Sequence, residues 1–126
     1  MLEVKNLKKN FGDFQAVKGV SFSVKEGEVL GFLGPNGAGK STTMRMITGF
    51  LPPTSGTAVI NGHDITSDPV AAKADLGYLP EAAPSYRAMT VKDYLKFIAE
   101  VRGKGSMDVE AVLKLAKLED KAGQTI

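Results

Sequence analysis

The feature that most constrains this chain is a glycine-rich turn, "GPNGAGKST", at positions 34–42. It follows the apolar run "EVLGFLG", whose consecutive apolar residues predict a strand buried on both faces. It precedes a predicted helix over residues 40–50, which the prolines of "LPPTSG" end. A turn that joins a buried strand to a helix predicts an α/β fold built around it.

The turn fits the pattern G-x-x-x-x-G-K-[ST], which binds nucleotide phosphates. Its glycines let successive backbone amides point inward as a nest for anions, at the positive end of the following helix dipole. The residues expected to form this nest are Gly34, Asn36, Gly37, Ala38 and Gly39. We predict that Lys40 bridges the β- and γ-phosphates of ATP, Ser41 binds Mg²⁺ and Thr42 donates to the α-phosphate. The alternative is a glycine-rich turn that only caps a helix, with Lys40 in solvent.

Composition excludes several other classes of protein. The chain has 126 residues, 43% of them hydrophobic and 24% charged, as in ordinary soluble domains. A net charge of +2 with scattered lysines argues against nucleic acid as a partner. The absence of cysteine excludes disulfides and thiolate metal ligands, and it fits a reducing compartment. No apolar run suggests a signal peptide or a bilayer span, so we expect a cytoplasmic protein that meets a membrane only through a partner.

Four further segments have the character of strands. Residues 2–11 and 19–25 mix or alternate apolar and polar side chains, as half-buried strands do. "TAVI" precedes Asn61-Gly62, a pair typical of hairpin turns. "LGYLP" at 76–80 predicts a second short buried strand.

Three helices are predicted downstream of the phosphate turn. Ser67, with Asp68 and Pro69 behind it, indicates the start of the first. Thr90 with Asp93 resembles a capping box that opens a helix ending at about Arg102. A last helix is expected to begin at Ser106, and its apolar face comprises Val109, Val112, Leu113 and Ala116.

Taken together, "AVKGVSFSVKEGEVLGFLG", "GPNGAGKST", "LPPTSGTAVINGHDI" and "LGYLPE" resemble the ATP-binding subunit of an ABC transporter over essentially the whole chain. The resemblance implies a P-loop NTPase of composite fold, with an amino-terminal antiparallel β layer against a partial parallel α/β core, and carboxy-terminal helices. It implies ATP and Mg²⁺ as cofactors, and coupling of ATP binding and hydrolysis to transport. It also implies two partners, a transmembrane permease and a second ATP-binding subunit, at the cytoplasmic side of the cell membrane.

The family pattern assigns roles to two residues outside the turn. In the family an aromatic residue after the first strand stacks on adenine, and Phe11 stands at that place. The alternative is that Phe11 fills the core, with Phe14 as the next candidate for stacking. Glu81 occupies the position of a glutamine that, in the family, touches Mg²⁺ and the attacking water, so Glu81 is a candidate metal ligand and catalytic residue. A solvated loop residue is the alternative for Glu81.

The resemblance also implies that the segment from Ala82 to the helix at 91–102 faces the permease. Tyr86, Met89 and Tyr94 are candidate anchors there, or else core residues. His63 follows Asn61-Gly62, and we interpret it as a turn residue rather than the family's catalytic histidine.

The family's signature motif, its magnesium-linked aspartate, its catalytic glutamate and its switch histidine are not found in residues 1–126. We therefore expect the chain to be the amino-terminal portion of one ATP-binding domain, able to bind Mg-ATP but to hydrolyse it negligibly. A non-catalytic binding or assembly module is the alternative. A P-loop kinase or GTPase is disfavoured, because the chain lacks an arginine-rich lid and an Asn-Lys-x-Asp guanine reader.

In the family, strands carried by the second half of the domain lie between the strand before the turn and the "LGYLP" strand. Apolar strands without neighbours recruit partners. We therefore expect this chain to self-associate, to swap domains or to rearrange its strand pairing.

Overall fold

The computed structural model describes residues 1–81, 86–105 and 107–126. The chain divides into two compact units, Met1–Tyr78 and Leu79–Ile126. Within the described residues, no helix combines the length and the apolar character that crossing a membrane requires.

The first unit is built on a four-stranded antiparallel sheet with the strand order β2-β1-β3-β4. The strands are β1 (Leu2–Phe11), β2 (Phe14–Val24), β3 (Ser55–Ile60) and β4 (His63–Asp64). This sheet confirms the predicted antiparallel layer. β2 begins at Phe14 rather than near residue 19, because pairing with β1 continues to the end of the hairpin, where Phe11 faces Phe14.

Two helices complete this unit, α1 (Lys40–Ile47) and α2 (Pro69–Ala74). One cluster unites the buried apolar residues of the strands, the helices and the turn after β4: Val4, Leu7, Val17, Met46, Ile47, Ala58, Ile60, Ile65 and Ala72. α1 ends three residues earlier than predicted, because Gly49 has a φ of 71° that a helix cannot continue. α2 begins at Pro69 as expected, but Asp68 rather than Ser67 occupies the N-cap position.

The prediction of strands at 28–34 and 76–80 is wrong, since neither segment forms a β-strand. Val29 and Leu33 are 96% and 94% exposed, and Leu79 is 82% exposed. Each segment makes a ring contact instead of a strand pairing: the ring centroids of Phe32 and Phe22 lie 5.6 Å apart, and those of Tyr78 and Phe50 lie 5.5 Å apart. A strand needs neighbours for its backbone N–H and C=O groups, and no described strand lies alongside either segment.

The second unit contains α3 (Val91–Val101), α4 (Val109–Leu115) and a short 3₁₀ helix (Glu119–Lys121). The predicted helix start at Thr90 is confirmed, with Thr90 as the N-cap residue: the Asp93 amide donates to Thr90 Oγ1 at 3.1 Å, and the Thr90 hydroxyl donates to Asp93 Oδ2 at 2.7 Å. Ser106 lies outside the described residues, and Asp108 caps α4 by accepting from two backbone amides. The buried side chains of this unit include Ala99 and Leu113.

Candidate functional site

The glycine-rich turn runs directly into α1, whose first residue is Lys40. Gly37 and Gly39 have φ angles of 83° and 85°, in the left-handed region that other residues enter only with strain. Gly39 is the N-cap residue, and both the amide and the hydroxyl of Thr43 donate to its carbonyl oxygen at 2.8 Å. The chain therefore turns sharply at the positive end of a helix, as an anion nest requires.

The loop is seated against β2 through Gly39. A Cβ at Gly39 would lie 2.5 Å from the carbonyl oxygen of Ala16 and 3.1 Å from Val17 Cγ2. The register between β1 and β2 steps from the pair Lys9–Val17 to the pair Asn10–Gln15, which leaves Ala16 between two pairs. Such irregularities in a strand redirect its backbone. Here the irregularity occurs where the sheet meets the phosphate loop.

The ammonium group of Lys40 closes the loop from within. Its Nζ donates to the carbonyl oxygen of Gly34 at 2.6 Å and to that of Pro35 at 2.8 Å. The Ala38 amide donates to the same Pro35 oxygen at 3.2 Å. The interpretation of Lys40 as a merely solvated residue is therefore wrong, because its charge is held over the loop.

The electrostatics of the site favour an anion. The first turn of α1 contains no acidic side chain, so the positive end of the helix is not neutralised locally. The first amides of a helix have no intrahelical acceptor, which leaves them for a ligand. Asn36, Ala38 and Ser41 are exposed and Thr42 is half-buried, so none of the four is fully enclosed by the protein.

Phe11 and Phe14 lie opposite each other at the end of the β1–β2 hairpin, 51% and 65% exposed. The alternative that Phe11 fills the core is therefore wrong. Phe14 is two residues from Ala16, about 7 Å along an extended strand, and Ala16 touches the phosphate loop. The end of the hairpin is thus separated by only two residues from the position of β2 that contacts the loop.

Glu81 is exposed and belongs to the second unit. Within the described parts of the chain, no group of three or more His, Cys, Asp or Glu residues could hold a metal ion. Protein-bound Mg²⁺ commonly takes most of its ligands from substrate phosphates and water. The Ser41 hydroxyl at the loop suits such a shared site, whereas the role of Glu81 stays a prediction.

The candidate permease-facing segment is described only in part, because residues 82–85 lie outside the described residues. Tyr86 is 57% exposed and its ring packs edge-on against Phe97 at 5.5 Å. Met89 and Tyr94 are half-buried. Tyr86 therefore presents more surface to a partner than the other two residues.

His63 is the first residue of β4. Its Nδ1 lies 2.8 Å from Asp68 Oδ2, so it forms a local polar pair. Burial tends to raise the pKa of the neighbouring Asp64, but hydrogen bonds from the Thr66 and Ser67 amides and from Thr57 outweigh that effect and lower it. These contacts join β4 to the start of α2, and sequence reasoning did not identify them.

Comparison with known families finds one that matches most of this chain. Residues 17–126 match the family model described as "ABC transporter", a range that includes the phosphate loop, most of the first unit and all of the second.

Among curated proteins, the chain is 42% identical over 118 residues to a probable multidrug ABC transporter ATP-binding protein, YbhF, of Escherichia coli strain K12. The match covers 93% of this chain and 20% of that protein. The chain thus spans about a fifth of the length of this curated relative.

Two solved structures have the same fold. An ATP-binding subunit of an ABC transporter aligns with a TM-score of 0.83 and 30% identity, over 98% of this chain and 53% of its own. A dimeric ATP-binding cassette in a post-hydrolysis state, bound to ADP and Pi, aligns with a TM-score of 0.80 and 25% identity, over 99% of this chain and 61% of its own. The described elements thus form part of a P-loop NTPase fold.

Proposed function

We propose that residues 34–42 bind the phosphates of Mg-ATP. The premise is that this chain belongs to the ABC transporter family, as an ATP-binding domain. One observation carries the proposal: the Lys40 ammonium is anchored on the carbonyl oxygens of Gly34 and Pro35, at the start of a helix without acidic residues in its first turn. A cation held at the positive end of a helix dipole is suited to a polyphosphate.

Each residue of the site has a proposed part. Lys40 would contact the β- and γ-phosphates, and the amides of the loop and first helical turn would contact the remaining phosphate oxygens. Ser41 would bind Mg²⁺ through its hydroxyl, and Thr42 would donate to the α-phosphate. Phe11 would stack on the adenine, and Glu81 would approach the magnesium ion.

Isothermal titration with Mg-ATP tests the binding site. Lys40→Ala removes a positive charge and both bonds that close the loop, so we expect the Kd to rise about ten- to hundredfold. Lys25→Ala, which removes the same charge from an exposed position in the same unit, is the matched control and should leave the Kd nearly unchanged. Equal affinities of the Lys40 variant and the unaltered chain would refute the proposed site.

We further propose that residues 1–126 hydrolyse ATP negligibly. Hydrolysis needs a positioned, polarised water as well as a held phosphate. Among the described residues, groups suited to holding the phosphate are clear, but groups suited to polarising the water are not. Magnesium-dependent turnover by the purified chain, abolished by Lys40→Ala, would contradict this.

The proposed setting is a transporter in which the complete domain works with a transmembrane permease and a second ATP-binding subunit at the cytoplasmic face of the membrane. The name of the curated relative, a probable multidrug transporter protein, supports this setting. The dimeric cassette bound to ADP and Pi supports pairing of ATP-binding subunits. Co-purification of the full-length gene product with a membrane protein, and its nucleotide-dependent dimerisation, would test the two partners.

A second candidate function is a module for which nucleotide is only a structural ligand. The exposed segment 28–33 favours it, because that segment leads directly into the loop and a bound nucleotide could order it. A ligand at a hundred times its Kd stabilises the folded state by about 2.7 kcal/mol. Thermal shifts with ATP and ADP, compared with turnover by the longer gene product, separate the two: stabilisation without turnover supports the second candidate.

We also propose that the chain self-associates. The nearly fully exposed side chains of Val29 and Leu33 are the support, because contiguous apolar surface favours association. Light scattering over a dilution series is the measurement. A stable monomer at every concentration would refute self-association.

A further inference from the structure

We propose that Lys9 is a positioning residue for nucleotide binding: its ammonium fixes the ring of Phe11 for stacking against the purine base. The proposal rests on the proposed binding of ATP, and it adds a residue to that site. Lys9 and Phe11 are two positions apart on β1, near the end of the hairpin.

The contacts of Lys9 are specific. Its Nζ lies 5.3 Å from the centroid of the Phe11 ring, within the range of about 6 Å for cation–π attraction. The same Nζ donates to the carbonyl oxygen of Pro52 at 2.7 Å. The Lys9 side chain is half-buried, while Phe11 stays 51% exposed. The ammonium therefore steadies a ring that still has surface available to a base.

Pro52 ties this pair to the phosphate site, because it belongs to the loop that follows α1. Thr54 of the same loop makes two more bonds to β1: its Oγ1 accepts from the Asn10 amide at 3.0 Å, and its amide donates to the Lys8 carbonyl oxygen at 2.9 Å. At the other end of α1, Gly39 packs against Ala16 of β2. The hairpin is thus connected to both ends of the helix that carries the phosphate loop.

This connection matters because Phe11 has no hydrogen-bonding group. Stacking must then orient the base without help from a directional bond, so the ring has to be in place before the base arrives. Ordering a mobile side chain upon binding weakens association by about two- to tenfold. Lys9 would remove that loss by holding the ring in advance.

The test uses the 126-residue chain and two probes, Mg-ATP and magnesium tripolyphosphate, which lacks a base. We expect Lys9→Met to raise the Kd for ATP about two- to tenfold more than the Kd for tripolyphosphate. Lys9→Arg should restore the affinity for ATP, because a guanidinium keeps the cation and a donor for Pro52. The matched control is Lys8→Met, which removes the same charge from β1 where the side chain packs over Gly19. It should affect both probes equally.

A double-mutant cycle completes the test. In a Phe11→Ala background, Lys9→Met should change the affinity for ATP no more than it changes the affinity for tripolyphosphate. A Lys9→Met effect that is equal for the two probes, or that persists without the Phe11 ring, overturns the proposal. If the chain binds ATP and Lys40→Ala weakens this binding while Lys9→Met does not, only this inference fails. If it binds neither probe, the proposed function fails as well.

Discussion

β3 and the segment 28–34 are both apolar and belong to the same compact unit, yet only β3 forms a strand. β3 lies between β1 and β4, and its Ala58 and Ile60 are buried. Segment 28–34 pairs with none of the strands that the structure describes, and Val29 and Leu33 are exposed to solvent. Both sequences suit a strand, so the difference teaches that access to pairing partners, rather than propensity, decides which apolar run becomes a strand.

The largest effect should come from truncating one leucine in the paired sheet and one in the unpaired segment. Leu7→Ala, at a fully buried position of β1 in the same cluster as Ala58 and Ile60 of β3, should lower the free energy of unfolding by about 3–5 kcal/mol. Leu33→Ala should change it by less than about 0.5 kcal/mol, because the side chain has almost no contacts to lose. Urea denaturation measures both values. Similar losses in the two variants would mean that residues 28–34 are buried in solution, and the comparison would no longer hold.

The second test concerns the loop that joins the unpaired segment to the packed region. Gly39→Ala should cost about 2–4 kcal/mol, since it adds both left-handed strain and a clash with the Ala16 carbonyl oxygen. Gly37 has nearly the same φ but open space around its Cβ position, so Gly37→Ala isolates the strain at about 1–2 kcal/mol. Thermal or urea unfolding gives the difference. Equal costs would show that the contact with β2 does not hold the loop.

The smallest effect is expected from a polar contact at the edge of the paired region. Asp64 accepts from Thr57 Oγ1 at 2.9 Å and from the Thr66 amide at 2.7 Å, so Asp64→Asn should cost about 1 kcal/mol at neutral pH. The pKa of Asp64 is lowered from 3.8 in the folded state. The stability that ionised Asp64 contributes is therefore fully present above pH 3.8, and it is lost as the pH falls through the lower pKa of the folded state. Unfolding measured from pH 7 to pH 3 checks this, and a difference between the two proteins that stays constant would contradict it.

The phosphate loop and its helix could be predicted because their determinants are local. The glycines, Lys40 and the hydroxyls lie within nine consecutive residues, 34–42, and the loop geometry depends mainly on those residues. The helix start at Thr90 was predictable for the same reason. The strand character of β1 and β2 followed from their mixed or alternating side chains, whereas the antiparallel layer was implied by the family resemblance.

Other features could not be predicted, because they depend on contacts between distant segments. Lys9 meets the Pro52 carbonyl group only after the loop behind α1 folds back on β1. Ala16 contacts Gly39 at a register shift that no local pattern indicates. The absence of a strand at 28–34 likewise depends on which other strands lie beside it. A spacing of two between Lys9 and Phe11 was the one signal in the sequence that pointed to their contact.

The hydrogen bonds from Lys40 to the carbonyl oxygens of Gly34 and Pro35 affect how a phosphate ligand would bind and dissociate. Before a phosphate binds, the two carbonyl oxygens occupy the hydrogen-bonding positions on the Lys40 ammonium that phosphate oxygens would take. Entry then becomes an exchange of one oxygen partner for another, and departure lets the original partners return. The same two hydrogen bonds would hold the loop in shape when no phosphate is bound.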